Sequence, residues 1–306
     1  MDSPGSSSPL PSVDVVVVSY RSAETLRGCV EPLCDLAGVT VTVVDNASPD
    51  DSVATISDLP VAIIRSPRNG GFAYGCNLGI ANGSARHVLL LNPDAQIDRD
   101  ALSTLVSALD EHPQVAAVGP RIIGDDGRLH FSQRSFPRLR STWSQALFLH
   151  RLAPNAKWSD EVIRNPAAYA ATGSPDWLSG ACLLVRRSAL TAIGGLDERF
   201  FLYCEDIDLC RRLRQAGHEL RYEPAATVRH RGGASAPNGV TLPIYARSRV
   251  LYARRHYRPI AVPLEVLGVA VGEATHALTS FRRRGVARGH AAAIRAALRP
   301  STVMGA

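Results

Sequence analysis

Three carboxylates, Glu205, Asp206 and Asp208, fall within four residues, between the aromatic run at 200–203 and a helical pattern that continues to Gly217. On a 3.6-residue period Leu209, Leu213 and Ala216 form one stripe, and Asp206, three residues before Leu209, lies on the same face. An acid therefore points inward. The plain reading of Glu205 and Asp206 is helix capping, since carboxylates satisfy free N–H groups and the positive end of a helix dipole. The balance shifts when the other acids of the chain are placed. Asp208 stands three and four residues before Arg211 and Arg212, a spacing that predicts solvated surface charge.

A second set of residues suits phosphate. Asp94, in Asn92-Pro93-Asp94, is an isolated acid placed where a divalent metal would bridge phosphates, and His230 ends a strand in H-R-G-G. A lone histidine reads as structural unless it faces a second ligand, here Asp94. Ser19-Tyr20, Asp45-Asn46 and Arg68-Asn69-Gly70-Gly71 each follow an apolar run. Such residues are ordinary turn formers one by one, and a binding edge when they gather.

The elements that must gather them are legible as alternating strands and helices. Residues 13–19, 39–45, 61–64, 88–91 and 115–118 read as buried strands, with helices over 22–36, 50–59 and 99–111 and the segment 71–82 between them. That alternation predicts an α/β fold with a mostly parallel sheet and flanking helices, in which ligands lie beyond the carboxyl ends of the strands. Further on, 119–176 is irregular, 177–185 reads as one strand, 187–193 as a short helix, and 219–222 and 226–230 as two short strands.

Two nucleotide signatures are missing: there is no G-x-x-x-x-G-K-[ST], and Gly70 to Gly79 lacks the G-x-G-x-x-G order after a first strand. P-loop hydrolysis is excluded and nicotinamide chemistry is disfavoured. The six cysteines form no C-x-x-C pair, so reduced, mostly buried thiols are expected. Residues 1–12, rich in Pro, Ser and Gly, read as a flexible leader and neither a signal peptide nor an anchor, which places the chain in the cytoplasm. Charge is uneven: from Tyr245 onward eleven Arg face only Glu265 and Glu273, a balance of +9 in a chain of +6. The tail, 240–306, is thus a basic helical segment. Its apolar stretch 259–278 carries both acids and suits an interfacial helix, with Arg282, Arg283 and Arg284 at the inner face of the plasma membrane, better than a span. A solvated helix packed on the domain is the other reading, and no nucleic-acid partner is expected.

The order VVVVSYRS, VVDNASPDDS, RNGGFAYGCN, LLLNPDAQI, WLSGACLLVRR, GGLDERFFLYCEDIDLCRRLRQAG and VRHRGG resembles the inverting glycosyltransferases of family 2, which have the GT-A fold, and within them the rhamnosyltransferase branch. The resemblance spans about residues 13–232. It implies a GT-A domain over 13–239, with a nucleotide-binding half to residue 119. It implies a nucleotide-diphosphate sugar held by Ser19, Tyr20, Asp45, Asn69, Gly70, Gly71 and Asn92. It further implies Mg²⁺ or Mn²⁺ on Asp94 and His230, Asp206 as catalytic base, and Trp177, Ser179, Gly180 and Glu205 toward a glycan or glycolipid acceptor. The family's usual Asp-x-Asp reads Asn92-Pro93-Asp94 here, so only the second acid is present. The implied reaction moves L-rhamnose from dTDP-rhamnose to a polyprenyl-diphosphate-linked or other cell-envelope acceptor. Other sugars (mannose, galactofuranose, an N-acetylhexosamine), a nucleotidyltransferase and a non-catalytic sugar-nucleotide binder are the alternatives. A nucleotidyltransferase needs a Gly-rich, Lys-containing loop after strand one, where this chain reads SYRSAETL.

Overall fold

A computed structural model describes residues 12–154, 156, 158–232, 238–279 and 284–299. Nearly all of the leader, as well as Arg282 and Arg283, lies outside the described residues, and so does the side chain of Arg284. The first half follows the alternation: β1 (Val13–Ser19), α1 (Leu26–Cys34), β2 (Val39–Asp45), a 3₁₀ turn (Ser52–Ile56), β3 (Ala62–Arg65), α2 (Phe72–Ala81), β4 (His87–Leu91), β5 (Ala95–Gln96), α3 (Arg99–Asp110) and β6 (Val115–Ile123). Then come β7 (Leu129–His130), β8 (Gln133–Arg134), α4 (Leu139–Ala146), β9 (Trp177–Leu178), β10 (Cys182–Arg186), α5 (Arg187–Ala192), α6 (Glu205–Gln215) and β11 (Glu219–His230). Three helices close the chain, α7 (Asn238–His256), α8 (Val262–Thr279) and α9 (Arg284–Leu298).

The main sheet runs β3-β2-β1-β4-β10-β6-β11-β5, with β7 beside β6. β3, β2, β1 and β4 are mutually parallel, so Ser19, Asp45 and the residues after Arg65 and Leu91 emerge at one edge. β10 enters antiparallel between β4 and β6. Its first residue, Cys182, therefore pairs with Leu91, the last of β4, and the 179–181 loop arrives at the same edge. Two apolar layers cover the sheet. Leu26, Leu33, Leu102 and Leu105 of α1 and α3 pack on one face, and Cys76, Leu209, Leu213 and Tyr222 belong to the layer on the other.

Three expectations need revision. The 177–185 run is two strands, β9 and β10, because Ser179 to Ala181 leave the sheet; β9 pairs with β8 in a separate two-stranded sheet. Residues 219–230 form one strand, and its register beside β6 shifts between Glu223 and Thr227, where Pro224 supplies no N–H for a ladder bond. The irregular stretch contains α4, which packs against α8: Thr275 Oγ1 donates to the Ala146 carbonyl at 2.7 Å. All six cysteines are free thiols, and only Cys34 is not fully buried.

Candidate functional site

The site is assembled by sheet register and one short loop. β11 pairs antiparallel with β5, setting His230 opposite Ala95, and this brings the histidine beside Asp94 across more than 130 residues of chain. His230 Nε2 lies 3.1 Å from Asp94 Oδ1 and 3.3 Å from Asn92 Nδ2. Burial alone would raise the Asp94 pKa. The His230 ring and the Gly232 N–H more than offset it and hold Asp94 below the usual carboxylate range.

The loop before β10 joins this pair to the acid cluster. The Asn92 N–H donates to the Ala181 carbonyl at 2.9 Å, and one residue earlier the Gly180 N–H donates to Asp206 Oδ2 at 3.1 Å. A Cβ on Gly180 would come within 3.3 Å of the Asp206 Cβ, a tight contact that would push on the Asp206 side chain. Asp206 Oδ1 accepts from the Ile207 N–H at 2.9 Å. Immediately before α6, Tyr203 and Cys204 both adopt positive φ, 68° and 67°. For non-glycine residues this left-handed geometry is uncommon and stores strain of order 1–3 kcal/mol each. It turns the chain sharply into α6 and aims the first turn at the cleft.

That cleft, about 530 Å³, is lined by Trp177, Ser179, Asp206, His230, His130 and Arg134 among others. Asp206 is its single carboxylate among the described residues. Burial pushes the Asp206 pKa up, opposed by the Gly180 and Ile207 N–H groups and by the Arg134 charge. Glu205 does not line the cleft. It is buried behind Asp206 with Oε2 unpartnered, and burial first, then the Asp206 charge, drive its pKa well up. Burial raises both carboxyls, Glu205 further than Asp206, so of the two Glu205 keeps its proton to the higher pH.

A raised carboxyl is stabilised while neutral, so the contribution of Glu205 to folding is fully present below its unfolded value and declines as pH rises toward its folded one. Glu205→Gln fixes the neutral form. Its Tm should match the parent's near pH 4 and exceed it by roughly 2–4 °C at pH 8; a variant less stable than the parent at pH 8 contradicts the buried neutral acid.

At the opposite end of the edge, Asn46 holds the glycine turn. Its Nδ2 donates to Asn69 Oδ1 (3.0 Å) and the Gly71 carbonyl (3.1 Å), and its Oδ1 accepts from the Gly70 N–H (3.1 Å). Gly71 has φ 89°, and a Cβ there would collide with the Phe201 backbone, whose carbonyl accepts from the Phe72 N–H at 2.7 Å. Asp45 accepts from the Ser48 N–H, Ser19 is fully buried at the end of β1, and Tyr20 beside it is exposed. The predicted nucleotide residues thus share one sheet edge with Asn92 and Asp94, and the 180–181 loop reaches from there to Asp206.

Sequence reasoning missed Asn46 as the organiser of the turn, although it follows Asp45 at a strand end. It also missed Arg134 and His130, which sit in the irregular stretch where no periodicity marks them; the rings of His130 and His230 meet edge to face at 5.9 Å. Asp208 is a correction. It is fully buried and bound by Arg212 (2.7 Å), Arg255 (2.8 Å) and His256 (2.7 Å), and not by Arg211. α7 covers the α6 face that the helical period assigned to solvent, and Ala216, assigned to the stripe, is exposed.

Asp94 and His230 offer one oxygen and one nitrogen donor. Among the described residues no group of three His, Cys, Asp or Glu could hold a metal. The pair fits a divalent cation that takes its remaining ligands from a diphosphate and water, as Mg²⁺ commonly does, and does not fit a closed protein cage.

The mixed α/β sheet, which carries a glycine turn, an Asp–His pair and a recessed carboxylate near one strand edge, has the architecture of the GT-A class of folds. The mannosyltransferase PcManGT from Pyrobaculum calidifontis, solved with GDP-Man and Mn²⁺, is similar in fold, with TM-score 0.55 and 17% identity over 97% of this chain and 90% of that one. Residues 14–170 match glycosyl transferase family 2, and the chain belongs to that family. It is 35% identical over 205 residues to the N-acetylglucosaminyl-diphospho-decaprenol L-rhamnosyltransferase of Mycobacterium tuberculosis, covering 63% of this chain and 66% of that one. It is 30% identical over 172 residues to the rhamnosyltransferase WbbL of Escherichia coli, covering 52% and 60%. Each match spans just under two thirds of the relative's length.

Proposed function

We propose that the chain transfers L-rhamnose from dTDP-rhamnose to a polyprenyl-diphosphate-linked acceptor of the cell envelope, with inversion at the anomeric carbon. The observation that carries this reading is the placement of Asp206: a carboxylate in the cleft, backed by the buried Glu205 and steered by the Gly180 N–H, on the same edge as Asp94. The similarity to two rhamnosyltransferases supports the sugar.

In this reading Asn69 to Gly71 lie along the diphosphate, Asp45 accepts from the base, and Tyr20 packs on it. Trp177 and Ser179, which line the cleft, face the acceptor. Asp206 takes the acceptor hydroxyl's proton as the oxygen attacks, a contribution of about 10²- to 10⁴-fold. Asp94 and His230 would hold Mg²⁺ or Mn²⁺, which as a Lewis acid offsets the charge growing on the departing diphosphate.

The membrane contact falls on α8. By length and composition Pro259–Thr279 could cross a bilayer, and only 17% of that stretch is buried. Its Glu265, however, is fixed inside the protein by Arg249 at 3.0 Å, so we place the helix flat on the surface at the cytoplasmic face, with Leu264, Leu267 and Leu278 outward.

A panel of nucleotide sugars tests the donor by thermal shift with and without Mn²⁺. At 100-fold above Kd, dTDP-rhamnose with metal should stabilise by about 2.7 kcal/mol, roughly 5–10 °C. Asp94→Ala should lose the metal-dependent part. A larger shift with another nucleotide sugar changes the donor; an unchanged shift in Asp94→Ala with saturating metal removes Asp94 from the metal site.

A further inference from the structure

A second groove, about 840 Å³, opens where the lead-in to α4, the middle of α6 and the turn after α7 meet. Five arginines line it, Arg138, Arg140, Arg211, Arg214 and Arg258, with no Asp or Glu among its described lining residues. Two of them spend their hydrogen bonds on neutral groups. Arg211 donates to Tyr252 Oη (2.9 Å) and the His256 carbonyl, and Arg214 to the carbonyls of Ser174, Pro175 and Asp176. The nearby Asp176 carboxylate accepts the Phe136 N–H at 2.8 Å and, of the five arginines, meets Arg138 alone, at 3.7 Å. Five guanidinium groups walled by apolar side chains concentrate positive potential, and the planar fork of donors on each suits phosphate oxygens.

The apolar side of the groove continues outward. Ile260, 83% exposed, stands in its wall and begins the exposed stripe that runs through Leu264, Leu267 and Leu278 of α8. Charge and stripe are therefore one continuous surface, matched to a phosphate that carries hydrocarbon. We infer that the groove binds the phosphate headgroup of an anionic membrane phospholipid and so docks α8 at the bilayer surface. The inference rests on the membrane contact proposed above and deepens it. Phe136 of the groove and Arg134 of the catalytic cleft are two residues apart, so docking holds the cleft close to a lipid-borne acceptor.

The test is co-sedimentation of the full chain with phosphatidylglycerol-containing vesicles at 0.15 M salt, against phosphatidylcholine alone. Arg140→Glu with Arg258→Glu changes two exposed residues outside the cleft and should lower the partition coefficient by at least about 20-fold. Arg140→Gln with Arg258→Gln, which keeps the size without the reversal, should lower it by about 5-fold or more. Neither pair should alter the dTDP-rhamnose thermal shift, so failure here and failure of the transferase reading are told apart. Inorganic phosphate should not displace the parent from the vesicles. Undiminished binding of the double variants overturns the proposal. So does ready displacement by inorganic phosphate, which marks a free-phosphate site, or binding only to phosphatidylcholine vesicles doped with a polyprenyl diphosphate, which marks the groove as the acceptor's own.

Discussion

Asp206→Asn binds the nucleotide sugar as the parent does and transfers it at least about 10²-fold more slowly. The amide keeps the shape of the carboxylate, and its carbonyl oxygen can still accept the Gly180 N–H bond that fixes the side chain in the cleft. What it lacks is the basic oxygen that takes the acceptor's proton. A capping role predicts the opposite outcome, because an amide caps nearly as well as an acid. Parent-like turnover with a confirmed donor and acceptor would make Asp206 structural. Asp208→Asn is not a neutral control for this experiment: Asp208 is the buried partner of Arg212, Arg255 and His256, so its loss strands charge between α6 and α7.

The second large effect is on stability. Arg249 of α7, 3% exposed, reaches Glu161 with Nη1 (2.6 and 2.8 Å) and both Glu265 of α8 (3.0 Å) and Thr142 of α4 (2.9 Å) with Nη2. Burial works against the guanidinium charge, but Glu161 and Glu265 more than offset it, and its pKa rises. Arg249→Met leaves two buried carboxylates facing each other and should destabilise by about 3–5 kcal/mol. At roughly 2–4 °C per kcal/mol the Tm should fall by at least about 6 °C. Adding Glu161→Gln and Glu265→Gln removes the stranded charges and should recover at least half of the loss. A fall under about 2 °C in Arg249→Met would show that the helices do not depend on this cluster. For the same reason the C-terminal helices are not a detachable tail: α7 also carries Arg255 and His256, which hold the buried Asp208 carboxylate in the first turn of α6.

Much of the strand edge was legible because its strands are runs of β-branched and aliphatic residues with polar punctuation. Val13 to Ser19 could be little else than a buried strand, and Asp45, the Asn69–Gly71 turn and Asp94 follow from where such strands end. The pairing of His230 with Asp94 was legible only as a condition. It depends on β11 bending past its irregularity near Pro224 to meet β5, a long-range event that no local pattern encodes. Asp208 went wrong for a related reason. A helical period separates two faces and says nothing of what later covers the second, and here α7 arrives some thirty residues further along the chain. The arginine groove was invisible for the same cause: its five members come from α4, α6 and the turn after α7, and in the sequence each looks like ordinary surface charge.

The most direct test of the central claim is the anomeric configuration of the sugar transferred by the purified enzyme, read by NMR on the isolated product. A cleft with one carboxylate among its described lining residues has a base and no second acid to serve as a covalent nucleophile. In the proposed reaction the attacking hydroxyl displaces the diphosphate from the opposite face in one step, and the product should carry the configuration inverted from the donor's. A product that retains the donor's configuration would require a glycosyl-enzyme intermediate or another displacement, and would contradict the role assigned to Asp206.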